Sequence, residues 1–313
     1  MTVCPTATEG RPFGRVLTAM VTPFDADGKL DLDLAQDLAA YLVDTVGNDG
    51  LVVNGTTGES PTTSDDEKEQ LLRAVVEAVG DRATVVAGAG TNNTAHSVEL
   101  ARGAEKAGAH GLLVVTPYYS KPPQEGLYTH FTTVADATEL PVMLYDIPPR
   151  TVVPIQTETL KRLAEHPRIK AVKDSKHDLL AGSDVLANSD LAYYSGEDPL
   201  NLPWLSVGAV GFVSVVGHVV GDRLRQMLDA YESGDVAGAQ EIHHGLLPVY
   251  RSMNFVGGVI FSKTAMRLCG YETGQPRLPL PAATDEQVRI ITSDLWDAGL
   301  VLVNPDAAEV TSR

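Results

Sequence analysis

Short apolar runs and longer stretches of helical spacing take turns along this chain. The apolar runs are Val16–Phe24, Gly50–Asn54, Thr84–Gly88, Gly111–Val115, Pro141–Tyr145, Ile169–Ser175, Leu191–Ser195 and Ala209–Val215. They are rich in β-branched residues and bounded by turn chemistry, the pattern of strands buried on both faces. Between them, Leu34, Leu38 and Leu42 repeat at helical spacing within Leu30–Thr45. Ser64 with Glu67 is a capping box that opens a helix to Val79. Thr94–Ala107, stopped at Gly108, and Gly126–Thr138, Thr157–Glu165, Leu179–Asn188 and Asp198–Leu205 complete the set. Eight alternating units in about 215 residues predict an α/β fold, a closed (β/α)8 TIM barrel. An open doubly wound sheet would more often carry a glycine-rich dinucleotide turn after its first strand, and none is present. Beyond Asp222 the pattern holds only helices, at Leu224–Glu232, Val236–Met253, Val259–Leu268 and Asp285–Ala298. The expected organisation is a flexible leader over 1–14, a catalytic barrel over 15–235 and a C-terminal helical domain over 236–313.

Composition narrows the class. The 313 residues are 43% hydrophobic and 21% charged, enough for a large core. A net charge of −17 argues against nucleic acid and anionic membranes as partners. Cys4 and Cys269 cannot make a disulfide framework, which points to a reducing compartment. The start of the chain lacks a secretory pattern, and the apolar run Val207–Gly221 is too short and glycine-rich to span a bilayer. The expected location is the cytoplasm. No Cys/His cluster or P-loop appears, Gly88-Ala89-Gly90 lacks the rest of a dinucleotide fingerprint, and His243-His244 read as a solvated helix face. No metal and no cofactor are expected.

In such barrels chemistry stands at the carboxyl ends of the strands. Strand alternation puts Ile169, Ala171 and Lys173 on one face, so Lys173 follows apolar neighbours inward. Burial favours the neutral amine, the form that attacks a carbonyl to make a Schiff base. The plainer reading is a solvated strand-end lysine. Gly55-Thr56-Thr57-Gly58 offers two hydroxyls and free backbone N–H groups, a carboxylate nest or an ordinary glycine turn. Tyr145 shares parity with Met143 and is either a proton carrier beside the lysine or a core tyrosine. Arg150 follows two prolines, as a rigid carboxylate clamp or a surface residue. Tyr118-Tyr119, Gly196 and Gly211–Ser214 end other strands, and Asp174 alternates away from Lys173.

Four ordered motifs then coincide: Gly55-Thr56-Thr57-Gly58-Glu59-Ser60, Thr116-Pro117-Tyr118-Tyr119, Leu144-Tyr145-Asp146-Ile147-Pro148-Pro149-Arg150 and Val172-Lys173-Asp174. Together they resemble the dihydrodipicolinate (4-hydroxy-tetrahydrodipicolinate) synthase family of pyruvate-dependent class I lyases, from about Val16 to Leu300. The resemblance implies that Lys173 forms a Schiff base with pyruvate and that Thr56 and Thr57 hold its carboxylate. It makes Tyr145 the proton carrier at the lysine, relayed through Thr57. It makes Tyr119 the residue that completes the relay in a neighbouring subunit's site. Arg150 would bind the carboxylate of L-aspartate 4-semialdehyde, with Gly196 and the carbonyl of Val213 near the ketoacid. The implied assembly is a homotetramer, a dimer of dimers, in diaminopimelate and lysine biosynthesis.

Relatives that cleave sugar acids such as N-acetylneuraminate or ketodeoxygluconate share the lysine and tyrosine, and Arg150 with Tyr119 favours the short aldehyde. A non-catalytic ketoacid-binding barrel would not need Lys173, Tyr145 and both threonines. Two departures stand out: Pro149 replaces a commonly small residue, and Phe255-Val256-Gly257-Gly258 replaces a proline-containing turn, in a region expected to lie far from the chemistry. In lysine-inhibited members the effector sits under loops carrying Ser60, Asn92 and Tyr118. Two further cleft positions are here Lys68 and His96. Without the usual glutamate, and with an added cation, the cleft is expected not to function for L-lysine.

Overall fold

The computed structural model describes residues 4–303. Its centre is a closed barrel of eight parallel strands in sequence order. They are β1 (Val16–Ala19), β2 (Gly50–Val53), β3 (Thr84–Gly88) and β4 (Gly111–Val115), then β5 (Val142–Asp146), β6 (Ile169–Asp174), β7 (Ala192–Ser195) and β8 (Gly211–Ser214). β1 pairs with both β2 and β8, so no edge is left open. Alternate side chains fill the interior, among them Leu17, Val52, Val86, Leu113, Met143, Ala171, Tyr194 and Val213. Their neighbours face outward onto the helices.

The helices follow the expected order. Helix α1 (Leu32–Ala40) continues as a π-helical turn over Tyr41–Thr45. Helix α2 (Asp65–Val79) starts at Ser64 with both capping-box bonds made. Then come α3 (Thr94–Lys106), α4 (Gln124–Ala135), a single helical turn α5 (Pro148–Thr151), α6 (Thr157–Ala164), α7 (Leu179–Ala187) and α8 (Asn201–Ser206). Helix α9 (Gly217–Glu232) starts earlier than its spacing predicted and kinks at Val220. The helix expected over Val236–Met253 is two, α10 (Val236–Gly245) and α11 (Leu247–Val256), because Pro248 can join a first turn but cannot continue a helix. Helices α12 (Gly258–Leu268) and α13 (Asp285–Asp297) close the appendage. It shares a core with the barrel's outer layer, in which Phe212 and Leu224 meet Tyr250, Phe261 and Ile291. No helix among the described residues is long and apolar enough to cross a membrane.

Two expectations are corrected here. Residues 1–3 lie outside the described residues, but residues 4–14 are not a loose leader. Phe13 is fully buried in the barrel interior, its N–H donates to Tyr194 Oη (3.3 Å), and that hydroxyl donates to Gly14 O (2.9 Å). Cys4 donates to His110 O. The segment plugs the amino end of the barrel, where burying the Phe13 ring contributes about 2–3 kcal/mol. The second correction concerns β6. Val142 pairs with Ile169 but Met143 pairs with Ala171, so one residue, Lys170, is bulged out. Ile169 therefore packs outside with Val172, while Ala171 and Lys173 face inward.

Candidate active site

Lys173 stands at the carboxyl end of β6, level with Tyr145 of β5 and Tyr194 of β7. It is 4% exposed, and its Nζ lies 4.2 Å from the centre of the Tyr145 ring. A cavity of about 250 Å3 opens above it, lined by Thr56, Thr57, Tyr145, Arg150, Lys173 and Gly196. Five elements thus bring together six residues singled out from the sequence. Gly196 is glycine for a steric reason. A Cβ there would lie 2.9 Å from Cγ and Cε of Lys173 and 2.5 Å from Oγ of Ser175. Its N–H bonds to Asp174 O (2.8 Å), which draws the β7 end across the lysine stem.

The threonine turn hangs from β2. Glu59 N–H bonds to Thr56 O and Ser60 N–H to Gly55 O, closing the loop around Thr57. Thr22 Oγ1 donates to Gly58 O (2.6 Å), fixing it from the β1 side. A 3-10 turn at Ser60–Thr62 separates it from α2, so the turn itself, not a helix N-terminus, presents the N–H groups. Arg150 sits in α5, whose paired prolines fix the first turn and whose Thr151 Oγ1 donates to Ile147 O (3.0 Å). Its exposed guanidinium reaches the mouth of the cavity.

Other residues fall elsewhere. Tyr119 is 88% exposed on a left-handed backbone (φ 71°) and does not line the lysine's cavity. The Val213 side chain lies buried in the barrel interior, and Val215 lines the cavity. Ser60, Lys68, Asn92, His96 and Tyr118 surround an adjoining cleft of about 510 Å3 that shares Thr56, Tyr145 and Arg150 with the lysine's cavity. Sequence reasoning missed Asp65 there. Its carboxylate faces His96 Nε2 (2.8 Å) and Lys68 Nζ (3.8 Å). Burial pushes the Lys68 ammonium below its ordinary pKa, and Nζ donates to Thr63 O.

The Phe255–Gly258 region is corrected outright. Asn254, Gly257, Gly258 and Val259 line the same cavity as Lys173. Nothing in the local sequence signals this, because the contact depends on where α11 folds back across the barrel mouth. Ser175 was also missed; its Oγ donates to Gly196 O (3.1 Å). Behind the lysine, on the outer face, Asp146 pairs in register with Asp174. Burial pushes Asp146 up to about 7, against the opposing pull of Lys176 (3.5 Å), and raises Asp174. Asp174 accepts the N–H groups of Lys176 and His177, away from Lys173. Among the described residues no cluster of three or more His, Cys, Asp or Glu could hold a metal.

The profile of the Dihydrodipicolinate synthetase family matches residues 12–296. The chain is 65% identical over 300 residues to "4-hydroxy-tetrahydrodipicolinate synthase 2" of Streptomyces coelicolor, covering 96% of this chain and all of that one. It is 65% identical over 288 residues to the 4-hydroxy-tetrahydrodipicolinate synthase of Acidothermus cellulolyticus, covering 92% and 93%. The crystal structure of a Bacillus anthracis dihydrodipicolinate synthase superposes with a TM-score of 0.89 at 42% identity, over 91% of this chain and 98% of that one. The Cyanidioschyzon merolae enzyme, crystallised with lysine bound, gives 0.90 at 39% identity, over 92% and 99%. With a lysine–tyrosine pair above a plugged (β/α)8 barrel and likeness of this extent, the chain belongs to the dihydrodipicolinate synthetase family.

Proposed function

We infer that this chain condenses pyruvate with L-aspartate 4-semialdehyde, as a class I lyase of diaminopimelate and lysine biosynthesis. The observation that carries the reading is the buried Lys173 amine, 4.2 Å from the Tyr145 ring, in one cavity with Thr56, Thr57 and Arg150. Lys173 Nζ attacks C2 of pyruvate, and water leaves to give the imine. Loss of a C3 proton gives the enamine, whose C3 attacks the aldehyde carbon. Tyr145, through Thr57, carries the protons of these steps, and its hydroxyl protonates the new alkoxide. The semialdehyde's amine then attacks the imine carbon, which closes the ring and frees Lys173. Thr56 and Thr57 hold the ketoacid carboxylate beside the backbone N–H groups of their turn, and Arg150 holds the aldehyde's carboxylate at the mouth.

Tyr119 supports an assembled enzyme. Exposed and absent from the lining of its own cavity, it would complete the relay in a second copy, within a cytoplasmic dimer of dimers. The test is borohydride reduction with pyruvate, followed by mass mapping and a coupled assay with both substrates. One adduct at Lys173, with turnover of the semialdehyde, is expected. An adduct at Lys170 or Lys176, or turnover only with a sugar acid, would overturn the reading.

A further inference from the structure

The threonine turn carries a carboxylate of its own in the wrong place for an anion site. Glu59 follows Thr57 by two residues, is 3% exposed, and has a left-handed backbone (φ 56°) that a glutamate rarely adopts. A buried anion beside a nest that must take another anion disfavours binding unless something neutralises it. The neutralising group comes from the far end of the chain. Lys263 of α12, also 3% exposed, places Nζ 3.0 Å from Glu59 Oε1 and donates to Gln275 O (3.2 Å). Arg277 N–H donates to Glu59 Oε2 (2.7 Å). The Lys263 ammonium and the Arg277 guanidinium lie 4.2 Å and 4.0 Å from the centre of the Phe24 ring. The guanidinium is used up by Glu67 (2.6 Å), Gly28 O and Thr62 O, which leaves Lys263 as the cation whose charge answers Glu59.

We propose that Lys263 is a positioning residue for ketoacid binding: by neutralising and anchoring Glu59 from the C-terminal appendage, it makes the Thr56–Thr57 turn an acceptable site for a carboxylate. The proposal rests on the reading of those threonines as the ketoacid's binding groups. The charged groups facing Glu59 are Lys263 from α12 and Arg277 from the segment before α13. Behind Arg277 stand Glu67 of α2 and Asp25, and Arg150 shares a cavity wall with Glu59. Burial lowers the Lys263 pKa and Glu59 opposes that, as expected if each holds the other's charge.

The two halves of the pair predict opposite signs. Lys263→Met leaves Glu59 uncompensated, so the pyruvate KM at pH 8 rises about tenfold or more, as one unscreened charge at short range implies. The kcat at saturating pyruvate stays within about threefold, because the interaction acts on binding rather than on the transition state. Glu59→Gln leaves a cation near the nest, so its pyruvate KM is no higher than the wild type's at pH 7. The double variant Glu59→Gln/Lys263→Met returns KM to near the wild-type value at every pH. A packing role alone would raise KM or lower kcat for both single variants, and that result overturns the proposal. So would a Lys263→Met enzyme with an unchanged pyruvate KM. If Lys263→Met does not fold, Lys263→Gln is measured against the same outcomes. Borohydride trapping of the wild type runs alongside: absence of a pyruvate adduct at Lys173 defeats the functional reading, whereas a normal adduct with unshifted variants defeats only this inference.

Discussion

A methyl group added at Gly196 would enter space that the lysine stem already fills. The added Cβ would lie 2.9 Å from Cγ and Cε of Lys173 and 2.5 Å from Ser175 Oγ. Ordinary carbon contacts lie at about 3.5–4.0 Å, so the overlap with the lysine is about 0.6–1 Å. The Ser175 hydroxyl can rotate away at the expense of its bond to Gly196 O. Lys173 can yield only by shifting its stem, and Nζ moves with it. Overpacking of this kind costs about 1–3 kcal/mol of stability. A displacement of about 1 Å at the reacting atom costs about a hundredfold in rate. Gly196→Ala is therefore expected to fold, to lose about a hundredfold in kcat/KM, and to form the reduced pyruvate adduct correspondingly slowly in a timed borohydride quench. Gly103→Ala is the control. Within α3, a Cβ at Gly103 meets nothing within 4 Å, so activity should hold and stability should rise by about 0.5–1 kcal/mol. A Gly196→Ala enzyme with wild-type trapping and turnover would show that the lysine does not depend on this close passage.

Tyr145→Phe should lower kcat by about 10²–10⁴-fold in the coupled assay while pyruvate binding weakens less, as loss of a proton carrier requires. Arg150→Ala should raise KM for the semialdehyde about ten- to a hundredfold and leave that for pyruvate nearly unchanged; equal effects would count against the clamp. L-lysine titrated into the millimolar range should inhibit weakly or not at all, because Lys68 and His96 face the cleft and Asp65 is already shared between them. Asp146, raised to about 7, contributes stability that is present below its ordinary pKa of 3.8 and lost as pH rises through 7, a ceiling of about 4 kcal/mol. The melting temperature of Asp146→Asn relative to wild type should therefore climb between pH 4 and 7.5 and then level off; a difference that does not vary with pH would refute the assignment.

Most of the barrel was legible because each strand–helix unit carries its own local signal, and Ser64 with Glu67 or the run Gly111–Val115 needs no distant partner to be read. The motifs placed Thr56, Thr57, Tyr145, Arg150 and Lys173 at the carboxyl mouth of the barrel, after β2, β5 and β6, by topology alone. What was not legible depends on contacts closed late in the chain. The bulge at Lys170 has no composition signal, so parity carried Ile169 to the wrong face even though Lys173 came out right. Phe13 resembles any residue of a terminal segment until Tyr194 and Gly111 are brought around it. Asn254 and Gly258 reach the cavity only because α11 and α12 fold over the mouth, and Asp65 meets His96 only once α2 and α3 stand side by side.

The Phe13 plug gives the barrel a floor, so nothing passes from Lys173 through to the amino end. Traffic to and from Lys173 runs at the carboxyl mouth, along walls that include Thr56, Arg150 and the Gly257–Gly258 turn. Entry and exit therefore share one side of a vessel whose base is closed by Phe13.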